Sequence, residues 1–162
     1  MARALIVGCG CRGRRLGGAL RDAGWVVRGT SRTEAGATAI EEAGIEAAVA
    51  DPDRIATILG QLEGVTLIYW LLGAASGAPG SVAALHTDRL ERLLEEIVDT
   101  PVRGFVYELA NWLEGDDALR ALELLRSAGQ RWRIPFEVVD APPDDHESWL
   151  AGMRAAAAEL VA

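Results

Sequence analysis

Three glycines and the residues between them form the stretch of this sequence that is best suited to chemistry. The run Gly8-Cys9-Gly10-Cys11-Arg12-Gly13 has the spacing G-x-G-x-x-G and follows the apolar segment Ala4-Leu5-Ile6-Val7. Between a strand and a helix, the first glycine permits a tight turn, the second admits a pyrophosphate, and the third lets the helix pack closely. The N–H groups that open such a helix favour anions. The motif predicts a dinucleotide or nucleotide site; the alternative is a glycine-rich turn that binds nothing.

The end of the next apolar segment bears on the choice of cofactor. Trp25-Val26-Val27 is followed by Gly29-Thr30-Ser31-Arg32, whereas NAD-binding chains usually carry Asp or Glu there to pair with the ribose 2′-OH. That position falls at about Thr30; Glu34 competes on a count of about 20 residues, but we place it in the next helix. Arg32 can bind a 2′-phosphate, with Thr30 and Ser31 supplying hydroxyls. We therefore predict NADP(H), with NAD(H) possible.

Few residues outside this region are candidates for catalysis or metal binding. Several acidic residues and one histidine fall at or after the predicted ends of strands: Glu108, Asp140, Asp144, Asp145 and His146. Together they could perform acid–base chemistry or hold a metal ion. We favour helix capping by Asp144 and Asp145 beside a solvated His146. Catalytic residues are therefore unknown, and no metal site is predicted.

Cysteine, histidine and lysine usage narrows the chemistry further. We interpret Cys9 and Cys11 as small loop residues; the alternative is a redox-sensitive thiol at a helix N-terminus, where a thiol pKa falls. His86 is expected on the surface or facing a partner. All 16 basic Lys/Arg residues are arginine, so a mechanism that needs a lysine is excluded.

Composition excludes some classes of partner. The net charge of −8 over 162 residues argues against binding nucleic acid or an anionic membrane. No segment approaches the roughly 20 apolar residues of a membrane span, and no signal-peptide pattern is evident. We expect one cytoplasmic domain, residues 1–162.

Apolar and periodic segments alternate six times, which predicts a doubly wound six-stranded parallel sheet in three α/β/α layers, the Rossmann fold, with order 3-2-1-4-5-6. The cofactor site is then expected at the carboxyl ends of strands one and four, where Leu72 ends strand four and Gly73 follows it. The predicted strands are 3–7, 25–28, 45–50, 65–72, 102–109 and 134–139. Helices are predicted at 14–23, 33–43, from 51–52 onward, 81–99, 117–128 and 144–161, with loops at 73–80 and 111–117.

The first 70 or so residues resemble the NAD(P)-binding part of the short-chain dehydrogenase/reductase superfamily, in the extended or atypical branch that includes NAD-dependent epimerase/dehydratase-like proteins. The residues that carry this are Ile6 to Gly17, Gly29 to Arg32, and Ala50-Asp51-Pro52. The resemblance implies that Asp51 lies near the adenine. It also implies an oxidoreductase or epimerase/dehydratase-like activity, if the protein is an enzyme.

The sequence departs from that family where its chemistry is done. The family's reductases use a Ser or Thr after strand five, and a Tyr with a Lys four positions later. Here the residue four positions after Tyr107 is Asn111, and the residue four positions after Tyr69 is Gly73. We expect both tyrosines in the core, and no substrate-binding extension. The alternative is therefore a non-catalytic dinucleotide-sensing or partner-binding module, in which a homodimer or protein partner is possible. A weaker alternative is an S-adenosylmethionine-dependent methyltransferase.

Overall fold

Six parallel strands form one sheet in the order β3-β2-β1-β4-β5-β6. The structure is a computed structural model and describes residues 2–73, 75, 77–110, 113, 115–142 and 144–161. The strands are β1 (Arg3–Val7), β2 (Val26–Ser31), β3 (Glu46–Val49), β4 (Leu67–Trp70), β5 (Gly104–Glu108) and β6 (Phe136–Val139). The predicted fold class and strand order are confirmed, with β6 at one edge of the sheet.

Helices cover both faces of the sheet. They are α1 (Cys11–Asp22), α2 (Glu34–Glu42), α3 (Ile55–Leu59), α4 (Pro79–Ala84), α5 (Asp88–Glu96), α6 (Gly115–Trp132) and α7 (His146–Leu160), with a 3-10 turn at Ile97–Asp99. Because side chains alternate along a strand, the central strands β1, β4 and β5 contribute side chains to two cores, one on each face of the sheet. One core packs α1, α2 and α7, and the other packs α3, α5 and α6. Within the described ranges, no helix combines the length and apolar character needed to cross a membrane.

Strand β2 is longer than its sequence predicts, so that Thr30 and Ser31 lie inside the strand and not beyond it. Gly29 pairs with Ala47 of β3 and continues the ladder. A Cβ on Gly29 would lie 2.7 Å from the Cys9 Sγ atom, so the missing side chain is replaced by packing from the glycine turn. Tertiary contact therefore extends the strand through Gly29, Thr30 and Ser31, beyond its predicted end at residue 28.

The single helix predicted over 81–99 is two helices with a break at 85–87. The break turns His86 inward, where it is fully buried, and the expectation of a surface histidine is wrong. The Trp70 indole N–H donates to the Leu85 carbonyl at 3.0 Å, and the His86 ring is held by Tyr107 and Leu72. Polar contacts from the sheet thus end the helix early.

Several other boundaries differ from prediction. Helix α1 begins at Cys11 and not at residue 14, and α4 begins at Pro79, inside the predicted loop 73–80. The helix expected from Asp51-Pro52 begins only at Ile55, because Asp51 Oδ1 accepts from the Asp53 N–H at 2.9 Å and holds a turn. The helix expected to stop at Gly129 continues to Trp132, since Gly129 packs against Phe136, 3.3 Å from where a Cβ would lie. Of the predicted 111–117 loop, residues 111, 112 and 114 lie outside the described residues.

Candidate functional site

The first glycine makes the turn that its position predicts. Gly8 has φ +82, and a Cβ there would lie 2.6 Å from the Leu71 carbonyl oxygen. Its N–H donates to the Thr30 hydroxyl at 3.3 Å, and the Cys9 N–H donates to the Thr30 carbonyl at 2.9 Å. The turn is therefore fixed between the carboxyl ends of β2 and β4.

The second and third glycines serve different neighbours. Gly10 has extended backbone angles of φ −82 and ψ −154 that any residue can adopt, and a Cβ there would have no atom within 4 Å. That space is what a phosphate needs in order to reach the backbone. At Gly13 a Cβ would lie 3.3 Å from Cys9 Sγ and 3.4 Å from Ile6 Cγ2, so this glycine lets α1 approach β1.

The start of α1 supplies donors for an anion. Helix α1 begins at Cys11, and its first backbone bond runs from the Arg14 N–H to the Gly10 carbonyl at 2.8 Å. The N–H groups of Cys11, Arg12 and Gly13 have no earlier carbonyl within the helix to accept from them. Together with the helix dipole, they favour a negatively charged group in front of the glycine turn.

A cavity of about 390 Å³ lies at the carboxyl ends of β1 to β4. Seven predicted site residues line it: Gly8, Gly10, Thr30, Ser31, Arg32, Asp51 and Leu72. Four others of the predicted set are not among its lining residues: Cys11, Arg12, Gly13 and Gly73. Arg14 also lines it and belongs to the basic patch that Arg12, Arg14 and Arg15 form beside the glycine loop in the sequence. Sequence reasoning missed Gly36 and the α4 residues Ser81 and Val82, which line the cavity as well.

The β2 side of the cavity carries the residues expected to choose between cofactors. Arg32 is exposed and lines the cavity, whereas Thr30 is only 1% exposed. The Ser31 hydroxyl accepts from the Thr33 N–H at 3.3 Å, and Thr33 caps α2 by accepting from the Gly36 N–H at 3.0 Å. Glu34 is the first residue of α2, as predicted.

The β5 side carries a buried carboxylate with three donors. Glu108 is 4% exposed. Its Oε1 accepts from the Gly73 N–H at 2.9 Å, and its Oε2 accepts from the Trp149 indole N–H at 2.6 Å. The Arg12 Nη1 atom lies 3.0 Å from the same Oε2, and the Arg12 guanidinium lies over the Trp149 ring, 4.8 Å from its centroid. We call these four residues the Glu108 cluster.

Both tyrosines lie in the core, as expected. The Tyr69 hydroxyl donates to the Met153 carbonyl at 2.8 Å. The Tyr107 hydroxyl lies 2.6 Å from His86 Nδ1, and His86 Nε2 lies 3.1 Å from the Leu72 carbonyl. A carbonyl only accepts, so Nε2 carries the proton and Nδ1 accepts from Tyr107. Burial raises the pKa of both tyrosines, with the Glu108 charge adding to it at Tyr107, and burial lowers the pKa of His86 against the Leu72 hydrogen bond.

Cys9 is buried, and Asp145 and His146 near α7 make local contacts within the protein. Burial raises the pKa of Cys9 to about 12, although the charge of Arg14 opposes this, so the alternative of a redox-sensitive thiol with a lowered pKa is contradicted at Cys9. Asp145 caps α7 by accepting from the Ser148 N–H at 3.1 Å, which lowers the pKa of its carboxyl. His146 stacks on Trp149. In the part of the chain that the structure describes, no three His, Cys, Asp or Glu side chains are grouped to hold a metal ion.

The comparisons with known proteins place the fold. No protein-family model matches the chain, and no curated protein sequence does either. Among solved structures, an NAD-bound short-chain dehydrogenase/reductase superfamily protein from Agrobacterium tumefaciens is similar, with a TM-score of 0.67 and 22% identity, covering 84% of this chain and 48% of that one.

Two further structures, one with NAD and one with NADPH, share the architecture. UDP-glucose 4-epimerase from Brucella ovis, in complex with NAD, has a TM-score of 0.70 and 14% identity, covering 85% of this chain and 51% of that one. A yeast methylglyoxal/isovaleraldehyde reductase complexed with NADPH has a TM-score of 0.63 and 13% identity, with 85% and 53% covered. This chain has their Rossmann fold. It spans about half the length of the solved structures it matches.

Proposed function

We propose that this chain is a dinucleotide-binding Rossmann module that prefers NADP(H), related to the epimerase/dehydratase type of short-chain dehydrogenase. The observation that carries the proposal is the cavity in front of Gly10, whose lining includes Arg14 of α1 and Arg32 just beyond β2. Similar structures with bound NAD or NADPH support the ligand class. A homodimer or protein partner, and a cytoplasmic location, stay predictions of the sequence.

The residues present suit such a cofactor. The first N–H groups of α1, with Arg14, would bind the phosphates. Asp51 would lie at the adenosine, and Arg32 with Ser31 at the ribose 2′-phosphate. When bound, the nicotinamide would supply a hydride donor or acceptor.

We favour a binding role over catalysis for the chain by itself. A reductase of this kind needs an acidified tyrosine that reaches the substrate. Here Tyr69 and Tyr107 are fully buried and already bonded within the core. We therefore expect negligible turnover of common aldehydes and ketones, measured as NADPH oxidation by absorbance. Robust turnover that disappears in Tyr107→Phe but persists in Tyr69→Phe would contradict this expectation.

Calorimetric titration with NADPH, NADH and S-adenosylmethionine in parallel tests the proposal. We expect NADPH to bind at least tenfold more tightly than NADH, about 1.4 kcal/mol, and S-adenosylmethionine not to bind. The position at Thr30 is uncharged, whereas a site for the methyl donor usually has an acidic residue there to hold the ribose. Tighter binding of NADH would overturn the preference, and binding of S-adenosylmethionine alone would overturn the ligand class.

A further inference from the structure

The cavity covers only one side of the point where the strand order reverses. In a doubly wound sheet of this order, a dinucleotide lies across the crevice between β1 and β4, with one half over each set of strands. The cavity is lined from the carboxyl ends of β1, β2, β3 and β4 and from α4. Within the described residues, none from β5 onward lines it. Its volume of about 390 Å³ is at the small end of ligand sites, which range over about 300–1,000 Å³.

The Glu108 cluster occupies the position of the other half. Glu108 ends β5, Gly73 follows β4, Trp149 lies in α7, and Arg12 reaches over them from α1. A Cβ on Gly73 would lie 2.5 Å from the Glu108 Oε1 atom. The close approach that this glycine permits is therefore used by a protein carboxylate, not left to a ligand.

The charges in the cluster keep Arg12 where it is. The Glu108 side chain is 5% exposed, and that of Arg12 is 28% exposed. If Arg12 moved to a ligand phosphate, a buried carboxylate would lose its cation, which is strongly unfavourable. The positive charges that line the cavity belong instead to Arg14 and Arg32.

We infer that the site holds the 2′-phospho-ADP-ribose portion of the dinucleotide and that the Glu108 cluster excludes the nicotinamide from the sheet edge. The inference rests on the proposed function. The chain then recognises the adenosine 2′-phosphate and the pyrophosphate of the ligand. The redox state of the nicotinamide therefore has little influence on binding.

Two ligands that differ only in the nicotinamide test this on the unaltered chain. We expect NADP⁺ and 2′-phospho-ADP-ribose to have dissociation constants within threefold of each other by calorimetry. In saturation-transfer difference NMR of bound NADP⁺, the adenine protons should receive saturation and the nicotinamide protons should not. Tenfold tighter binding of NADP⁺, or equal saturation of both rings, would overturn the inference while leaving the proposed function intact. Failure of both ligands to bind would overturn both.

A matched pair of variants tests the role of the cluster. Arg12→Ala removes the side chain that covers Glu108, and Arg15→Ala removes an exposed arginine one turn of α1 from Cys11. For each variant we compare the dissociation constants of NADP⁺ and 2′-phospho-ADP-ribose. Because both ligands carry the same phosphates, a general loss of attraction for phosphate cancels in the ratio of these two constants. We expect this ratio to move at least threefold in favour of NADP⁺ in Arg12→Ala and to stay at its original value in Arg15→Ala. An unchanged ratio in a folded Arg12→Ala protein would overturn the assignment of exclusion to the cluster.

Discussion

The two halves of the sheet's carboxyl edge present opposite surfaces to a ligand. On the β1–β3 side, the space in front of Gly10 holds no protein atom within 4 Å of a potential Cβ, and two arginines line a cavity. On the β5 side, the carboxylate of Glu108 uses three donors that a ligand could otherwise use. The helix N-terminus and the two arginines of the first half favour an anion, whereas the second half already contains the protein carboxylate of Glu108.

Under the proposed function, this difference would let one fold keep recognition and omit reaction. A doubly wound sheet places both halves of a dinucleotide at the same edge, so the two halves can be tested independently. Hydrogen bonds that satisfy a buried carboxylate stabilise the fold, whereas the N–H groups at the start of α1 stay available to a phosphate.

The largest effect is expected at the receiving half. Gly10→Val should weaken NADPH binding at least 100-fold, about 2.7 kcal/mol, because the branched side chain would occupy the position of the pyrophosphate. The fold should survive, since the backbone angles at Gly10 suit any residue. Gly18→Val is the matched control: its Cβ would also have no atom within 4 Å, but it lies farther along α1. Unchanged affinity in folded Gly10→Val, measured by calorimetry, would remove the glycine turn from the site.

The second effect concerns the stability contributed by the β5 half. Glu108→Gln should lower the free energy of unfolding by about 2–3 kcal/mol, because a neutral amide cannot replace the charge-assisted bonds to Arg12 and Trp149. Glu123→Gln makes the same change in an exposed pair with Arg126 and should cost about 0.5 kcal/mol or less. Urea unfolding measures both. Equal losses in the two variants would mean that the cluster contributes no more than a surface ion pair.

The receiving half could be predicted from sequence because it is local. The glycine turn, the end of β2 and Asp51 lie within about 50 consecutive residues, and their spacing follows from one β-α-β unit. The Glu108 cluster could not be predicted, since its four members meet only through packing. Members that are consecutive in the chain lie 35 to 61 residues apart: 61 from Arg12 to Gly73, and 35 from Gly73 to Glu108. The inward turn of His86 was missed for the same reason, because a helical pattern continues through it.

A third prediction sharpens the selectivity of the receiving half. Arg32→Ala should remove the preference for NADPH over NADH, a loss of tenfold or about 1.4 kcal/mol, because the cation for the 2′-phosphate is gone. NADH affinity should stay within twofold, since the ribose 2′-OH needs no cation. The matched control is Arg15→Ala on the exposed side of α1. A preference that persists in Arg32→Ala would assign the 2′-phosphate to another group, with Arg14 the first to test.

The smallest effect is a pH dependence of stability that originates at the boundary between the two halves, where His86 joins β4 to β5. Burial lowers the pKa of His86 in the folded chain, while in the unfolded chain it stays near about 6.5. The unfolded state therefore binds more protons as the pH falls below about 6.5, so stability is complete above that pH and is lost below it.

The size of this loss is bounded by one proton, about 1.4 kcal/mol per pH unit. In urea unfolding between pH 7.5 and 5, we expect His86→Gln to show a shallower loss of stability than the unaltered chain, although its stability at neutral pH will be lower because Tyr107 loses its acceptor. The chain has two histidines, which makes His146→Gln the matched control; His146 stacks on Trp149 at the start of α7 and is partly exposed. The same carboxyl groups are present in the unaltered chain and in both variants. A difference between them in the slope of unfolding free energy against pH therefore reports the substituted histidine. If His146→Gln and not His86→Gln flattened the profile, the acid sensitivity would belong to the Glu108 cluster side of the sheet and not to the β4–β5 boundary.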